Sequence, residues 1–62
     1  MKFKKIITPD SEEFWINPYN ISAIMLNEDG EIEIYIADDM FVTNMFENIT
    51  DAFKHLGINQ EE

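Results

Sequence analysis

The sequence predicts an α+β fold, an antiparallel β-meander of about five short strands followed by one C-terminal amphipathic helix packed on the sheet. Three observations predict it. First, Glu31-Ile32-Glu33-Ile34-Tyr35-Ile36 alternates isoleucine with glutamate or tyrosine, and only an extended strand sorts such a run into an apolar and a polar face. Second, that run is bounded by turn-forming residues, Glu28-Asp29-Gly30 before it and Asp38-Asp39 after it. Third, the period changes near the end: Met45, Phe46, Ile49, Ala52, Phe53 and Leu56 form the stripe of an amphipathic helix.

Taken in order, Met1 to Ile7 reads as a first strand, closed by the turn Thr8-Pro9-Asp10-Ser11, where Pro9 presets its own φ. Glu13 to Asn17 is a short second strand with Phe14 and Ile16 on one side and Trp15 on the other. Asn17-Pro18-Tyr19-Asn20 is the next turn, in which Pro18 holds Asn17 extended and withholds one donor from the sheet. Ile21 to Asn27, Glu31 to Ala37 and Met40 to Thr43 are the remaining strands.

The register between the third and fourth strands follows from burial. A two-residue turn at Asp29-Gly30 would set Met25 against Ile34 and Ala23 against Ile36, leaving Ile24 and Leu26 wet. A three-residue loop, Glu28-Asp29-Gly30 with Gly30 left-handed, slips the register by one and brings Leu26 to Ile32 and Ile24 to Ile34. A one-residue slip turns over a whole strand face, so burial selects the three-residue loop. Asp38-Asp39 reads as a tight hairpin turn that pairs Ile36 with Phe41.

For the helix, Asn44 is the expected N-cap and Glu47 the partner in a capping box. Gly57 suits a left-handed C-cap, with Ile58 folding back on Phe53. Glu47 and Asp51 lie toward the positive end of the helix dipole, Lys54 and His55 toward the negative end. The stripe is expected to cover an inward sheet face of Ile24, Leu26, Ile32, Ile34, Ile36 and Phe41. A single domain over residues 1–58 and a frayed polar tail over 59–62 complete the expectation.

A chain of 62 residues makes one small domain, which buries only about 60% of the surface its unfolded form exposes. Small domains add disulfides, metals or partners; here there is no cysteine and one histidine, His55, so self-association is the stabiliser left open. Thirteen acidic residues against four basic ones give a net charge of −9. Three lysines, Lys2, Lys4 and Lys5, crowd into the first five residues, and arginine is absent. Direct nucleic-acid binding and anionic membranes are therefore disfavoured, whereas a basic protein would be attracted. No apolar run approaches the ~20 residues of a membrane span, and the charged turn at Pro9–Glu13 follows too soon for a signal peptide, so the expected location is cytoplasmic.

The face of the sheet opposite the helix carries Ile21, Ala23, Met25, Tyr35 and Val42, with Met40 at the turn and Trp15 nearby, more apolar surface than a solvated face requires. The sheet could curl into a partial barrel and enclose this set, pair with a second copy in a homodimer, or receive a different protein. Trp15, Ile21, Met25, Tyr35 and Val42 are the candidate interface residues.

Chemistry is poorly represented. His55 sits beside Lys54 near a helix end; Ser11 and Ser22 have no histidine–acid partners in a recognisable spacing; Gly30 and Gly57 are isolated and explained by backbone angles. Asp38 and Asp39 would need further carboxylates to hold a metal. No catalytic residue, cofactor or metal site is expected, and the chain is not expected to be an enzyme.

At Trp15-Ile16-Asn17-Pro18-Tyr19-Asn20-Ile21-Ser22-Ala23-Ile24 the chain resembles the small bacterial flagellar FlbD-like (SwrD-type) proteins. Their order is a strand, an Asn-containing turn, an isoleucine-rich strand, a hairpin, and a short strand leading into a helix. The order matches from Met1 to Leu56, with Phe41-Val42-Thr43 and the segment from Met45 to Leu56 as the closing strand and helix. The resemblance implies a non-enzymatic accessory protein that works through protein contacts.

The leading expectation is thus a small acidic protein-interaction module, an accessory or regulatory protein of bacterial or phage origin that acts through an apolar sheet face, its partner a second copy or a basic protein. The alternative is an acidic inhibitor that mimics DNA phosphates and binds a basic nucleic-acid-binding protein, using a row of Glu28, Asp29, Glu31, Glu33, Asp38 and Asp39.

Overall fold

Thirteen acids and an alternating isoleucine run fold here into two antiparallel sheets and one helix, seen in a computed structural model that describes residues 3–58. Met1 and Lys2 of the expected first strand, and the expected frayed tail 59–62, lie outside the described residues. The elements are β1 (Lys4–Ile7), β2 (Glu13–Ile16), a 3₁₀ turn (Pro18–Asn20), β3 (Ile21–Leu26), β4 (Ile32–Ile36), β5 (Asp39–Thr43) and α1 (Ile49–Leu56). β1 and β2 form one hairpin; β3, β4 and β5 form a three-stranded meander in that order. The fold is α+β, and the sheets do not close into a barrel.

Local chemistry explains the division. Asn17 accepts the Tyr19 N–H on its side-chain oxygen at 3.0 Å, and its carbonyl accepts the Asn20 N–H at 2.9 Å. With Pro18 supplying a fixed φ at the first position, the chain leaves β2 through one tight turn instead of continuing the ladder. The β1–β2 turn closes similarly: Thr8 O accepts from Ser11 N–H at 2.9 Å and Thr8 Oγ1 from Glu12 N–H at 3.0 Å.

Each part supplies one wall of a common core. Ile6 and Ile16 come from the hairpin, Ile32 and Ile34 from β4, Ala52 and Leu56 from α1, all buried. Phe14 stacks on Phe41 with ring centroids 4.4 Å apart, joining the inner side of the hairpin to the inner side of the meander. A buried Ile or Leu of this kind stabilises by about 1.5–3 kcal/mol. Thr43 is the one polar residue among the described residues that is fully enclosed. Its Oγ1 donates to the Ile7 carbonyl at 2.7 Å and accepts the Met45 N–H at 3.2 Å. The Ile7 N–H in turn donates to Met45 Sδ at 3.2 Å. The end of β5 is thereby fastened to the end of β1.

The β3–β4 register is the one that burial selects: Leu26 lies opposite Ile32 and Ile24 opposite Ile34. Asn27 organises the three-residue loop, its side-chain oxygen accepting N–H groups of Asp29 at 2.9 Å and Glu31 at 3.0 Å while Gly30 takes φ +80°.

Four expectations are corrected. The β4–β5 hairpin turns through Ala37-Asp38, not Asp38-Asp39, so Ile36 pairs with Asp39 and Phe41 pairs with Ile34. Ala37 carries φ +53°, a value that favours glycine, and the register shifted by two residues offsets this by seating Phe41 beside the buried Ile34 and Thr43 beside the buried Ile32. Ile21 turns inward, because a bulge leaves Ser22 unpaired between the Ile21–Ile36 and Ala23–Tyr35 pairs. Ser22 Oγ donates to the Tyr35 carbonyl at 3.0 Å, and Ile21 packs on the core. Leu26 was expected inside and is 48% exposed, at the loop end of the edge strand β3. Finally, the helix starts at Ile49: Asn48, not Asn44, is its N-cap, accepting the Asp51 N–H at 2.9 Å. Met45 and Phe46 are occupied elsewhere, one bonded to β1 and the other packed on the core, so Asn44 and Glu47 do not cap. The C-cap is as expected: Gly57 is left-handed at φ +73°, and the Ile58 N–H reaches the Phe53 carbonyl at 3.0 Å.

Two measurements check these assignments. Thr43→Val keeps the shape but leaves the Ile7 carbonyl and Met45 N–H without their partner, and should lower unfolding stability in urea by about 1–3 kcal/mol. Asn48→Ala should cost about 1 kcal/mol in the same assay, whereas Asn44→Ala should stay within about 0.5 kcal/mol; equal losses would return the cap to Asn44.

Candidate protein-interaction face

Because Ile32, Ile34 and Ile36 of β4 face the core, Glu33 and Tyr35 face out. Cross-strand pairing sets their neighbours. Glu33 lies between Met25 on β3 and Val42 on β5; Tyr35 lies between Ala23 and Met40. Met25 and Met40 are 47% and 46% exposed, Ala23 is exposed, and Glu33, Tyr35 and Val42 are half-buried. Apolar side chains of this platform thus flank the Glu33 carboxylate on both neighbouring strands.

That carboxylate is held in place. Tyr35 donates its hydroxyl to Glu33 Oε1 at 2.7 Å, and the Asn27 side-chain amide donates to Oε2 at 3.2 Å. The bond to Glu33 pushes the Tyr35 phenol above its ordinary value of 10.0, helped by desolvation and by the nearby negative charge, because each favours the neutral phenol. Both donors are neutral, so the platform keeps its negative charge.

The expected interface residues separate into three groups. Met25, Tyr35 and Val42 share the outer face of β3–β4–β5, together with Met40. Ile21 belongs to the core side, as described above. Trp15 is 60% exposed on the outward side of the β1–β2 hairpin, with Lys5 Nζ 6.0 Å from its ring centroid. Since both sheets turn their inner faces to one core, the outward side of the hairpin and the outer face of the meander point apart, and Trp15 is not part of this platform.

The six carboxylates of the phosphate-mimic reading are similarly divided. Glu28 and Asp29 are exposed in the β3–β4 loop, with Glu31 following it; Asp38 and Asp39 sit at the opposite end of β4, in and beside the next turn. Glu33 lies on the platform, and Tyr35 separates it from the Asp38–Asp39 end of the row.

The remaining polar candidates have structural partners. His55 Nε2 lies 3.0 Å from the Lys5 carbonyl, and its ring is tilted against Phe46 at 5.3 Å, tying the end of α1 to β1. Among the described residues, no group of three or more His, Asp or Glu side chains is placed to hold a metal ion, and no helix is long and apolar enough to cross a membrane.

No family model, curated protein or solved structure matches the chain.

Sequence reasoning places Glu33 on the wet side of β4 and gives it a part in the phosphate-mimicking row alone. Its pairing with Tyr35 could have been found, since residues two apart on a strand share a face. Asn27 could not, because its amide reaches Glu33 only once the three-residue loop has closed. The Tyr35–Glu33 bond is directly measurable. Ultraviolet titration should show the Tyr35 phenol ionising at higher pH in wild type than in Glu33→Gln. The raised phenol value means that this contribution to stability is complete below pH 10.0 and is lost as pH climbs through the folded-state value. Identical titration curves would remove the bond.

Proposed function

We propose that this chain is a non-enzymatic protein-interaction module, an accessory or regulatory protein of bacterial or phage type, that acts through the outer face of β3–β4–β5. One observation carries the reading: Met25 and Met40 stand exposed on either side of Tyr35 and Glu33, on paired strands whose other face is locked in the core. Rigid strands lower the ordering cost of docking, and tyrosine and methionine are enriched where proteins meet. The Ser22 hydroxyl and the His55 ring are each engaged by a backbone carbonyl, of Tyr35 and of Lys5.

Self-association through the same face is a second reading. It is favoured by the size of the chain, since 62 residues without cysteine gain much from added apolar burial. Imitation of nucleic-acid phosphates has the net charge of −9 behind it, but the carboxylates fall at opposite ends of β4 and do not make one row.

The test is an affinity capture from bacterial lysate, with sedimentation of the isolated protein alongside it. Met25→Glu and Tyr35→Glu should each cut partner retention by about tenfold or more, while Trp15→Ala on the outward side of the hairpin should leave it unchanged. Concentration-dependent sedimentation abolished by the same two variants would identify the partner as a second copy. Retention lost in Trp15→Ala but kept in Met25→Glu would refute the assignment of this face.

A further inference from the structure

We propose that the occupant of this face is a basic segment of another protein that seats one arginine on the Glu33 carboxylate and lays apolar side chains over Met25, Val42 and Met40. The inference rests on the reading of the face as a docking surface and adds the chemistry of what docks there.

The argument begins with what any partner must cover. Glu33 lies on the central strand, flanked by Met25 and Val42, so an apolar partner closing on the platform would strip water from a carboxylate and give nothing back. Tyr35 and Asn27 occupy one position on each oxygen and bring no positive charge. A carboxylate offers about four acceptor positions, so room remains for a forked cationic donor. Arginine fits better than lysine, since its planar guanidinium forms paired bonds to a carboxylate while lying against the Tyr35 ring. The two neutral donors fix the carboxylate before the partner arrives, which lowers the entropy lost on binding. The net charge of −9 draws a basic segment toward the molecule and speeds the encounter.

A second copy fits poorly. Docking one copy on another would bring together two molecules that each carry −9. Arginine is absent from the chain, so a copy cannot supply the guanidinium from anywhere else in its sequence.

The probe is a random dodecapeptide library displayed on phage, selected in parallel against wild type, Glu33→Gln and Glu13→Gln. The two variants each remove a single negative charge, but Glu13 is exposed on β2, away from the platform. Near-ultraviolet circular dichroism establishes that both variants are folded. Wild type and Glu13→Gln should enrich peptides with one arginine between apolar residues. Amide shifts on titration with such a peptide should centre on Met25, Glu33, Tyr35 and Val42. Affinity should fall by about tenfold or more in Glu33→Gln alone. Peptides that shift the platform but lack a cation, or that bind Glu33→Gln as tightly as wild type, would overturn the proposal while leaving the docking face intact. An equal loss in both variants would reduce the effect to net charge and overturn it too. Peptides that bind elsewhere, or platform shifts caused by the protein's own concentration, would sink the proposal together with the choice of face or of a foreign partner.

Discussion

The clasp at Thr43 holds the two sheets in one molecule. β1–β2 and β3–β4–β5 share no ladder, so no run of backbone bonds joins them. Their union depends on side chains, and the buried Thr43 hydroxyl crosses the join by donating to the Ile7 carbonyl while it accepts the Met45 N–H of its own segment. Placing a hydroxyl there is costly unless both functions are met. Met45 adds a thioether acceptor for the Ile7 N–H, so the same few residues satisfy the end of β1 and start the connection into α1. The core of Ile6, Ile16, Ile32, Ile34, Ala52 and Leu56 can close only with the sheets in this relation.

The outer face follows from the same constraint. With isoleucines 32, 34 and 36 committed inward, strand alternation delivers Glu33 and Tyr35 to the opposite side, and pairing with β3 and β5 surrounds them with Met25, Val42, Ala23 and Met40. Packing on one side thus positions a platform on the other, and the Tyr35–Glu33–Asn27 bonds fix the Glu33 carboxylate on it. Stability and proposed binding use different faces of the same three strands, so surface substitutions on the platform can alter one with little effect on the other.

Where sequence reasoning diverged from the structure, a longer-range contact had overruled a local preference. Asp38-Asp39 are better turn formers than Ala37-Asp38, yet the Ala37-Asp38 turn pairs Phe41 with Ile34, where it stacks on Phe14. Asn44 and Glu47 form a plausible capping box, but Met45 and Phe46 were drawn into bonds and packing that a helical turn would have broken. Ile21 sits on the outer side of an unbroken strand; the bulge at Ser22 carries it to the core. In each case several apolar contacts outweigh a propensity worth a fraction of a kcal/mol.

What the sequence settled by itself is whatever depends on neighbours along the chain: the alternation of β4, the three-residue loop set by Gly30 and burial, and the part of the helix stripe from Ile49 to Leu56 with its Gly57 cap. Periodicity and backbone sterics act over a few residues and leave a readable pattern. What only the tertiary structure decided is how those pieces meet: two sheets in place of one, the clasp at Thr43, and the separation of two aromatics, with half-buried Tyr35 on the platform and exposed Trp15 on the far hairpin. Those outcomes depend on contacts between residues as far apart as Ile7 and Thr43, which have no period in the chain and exist only once the core has formed.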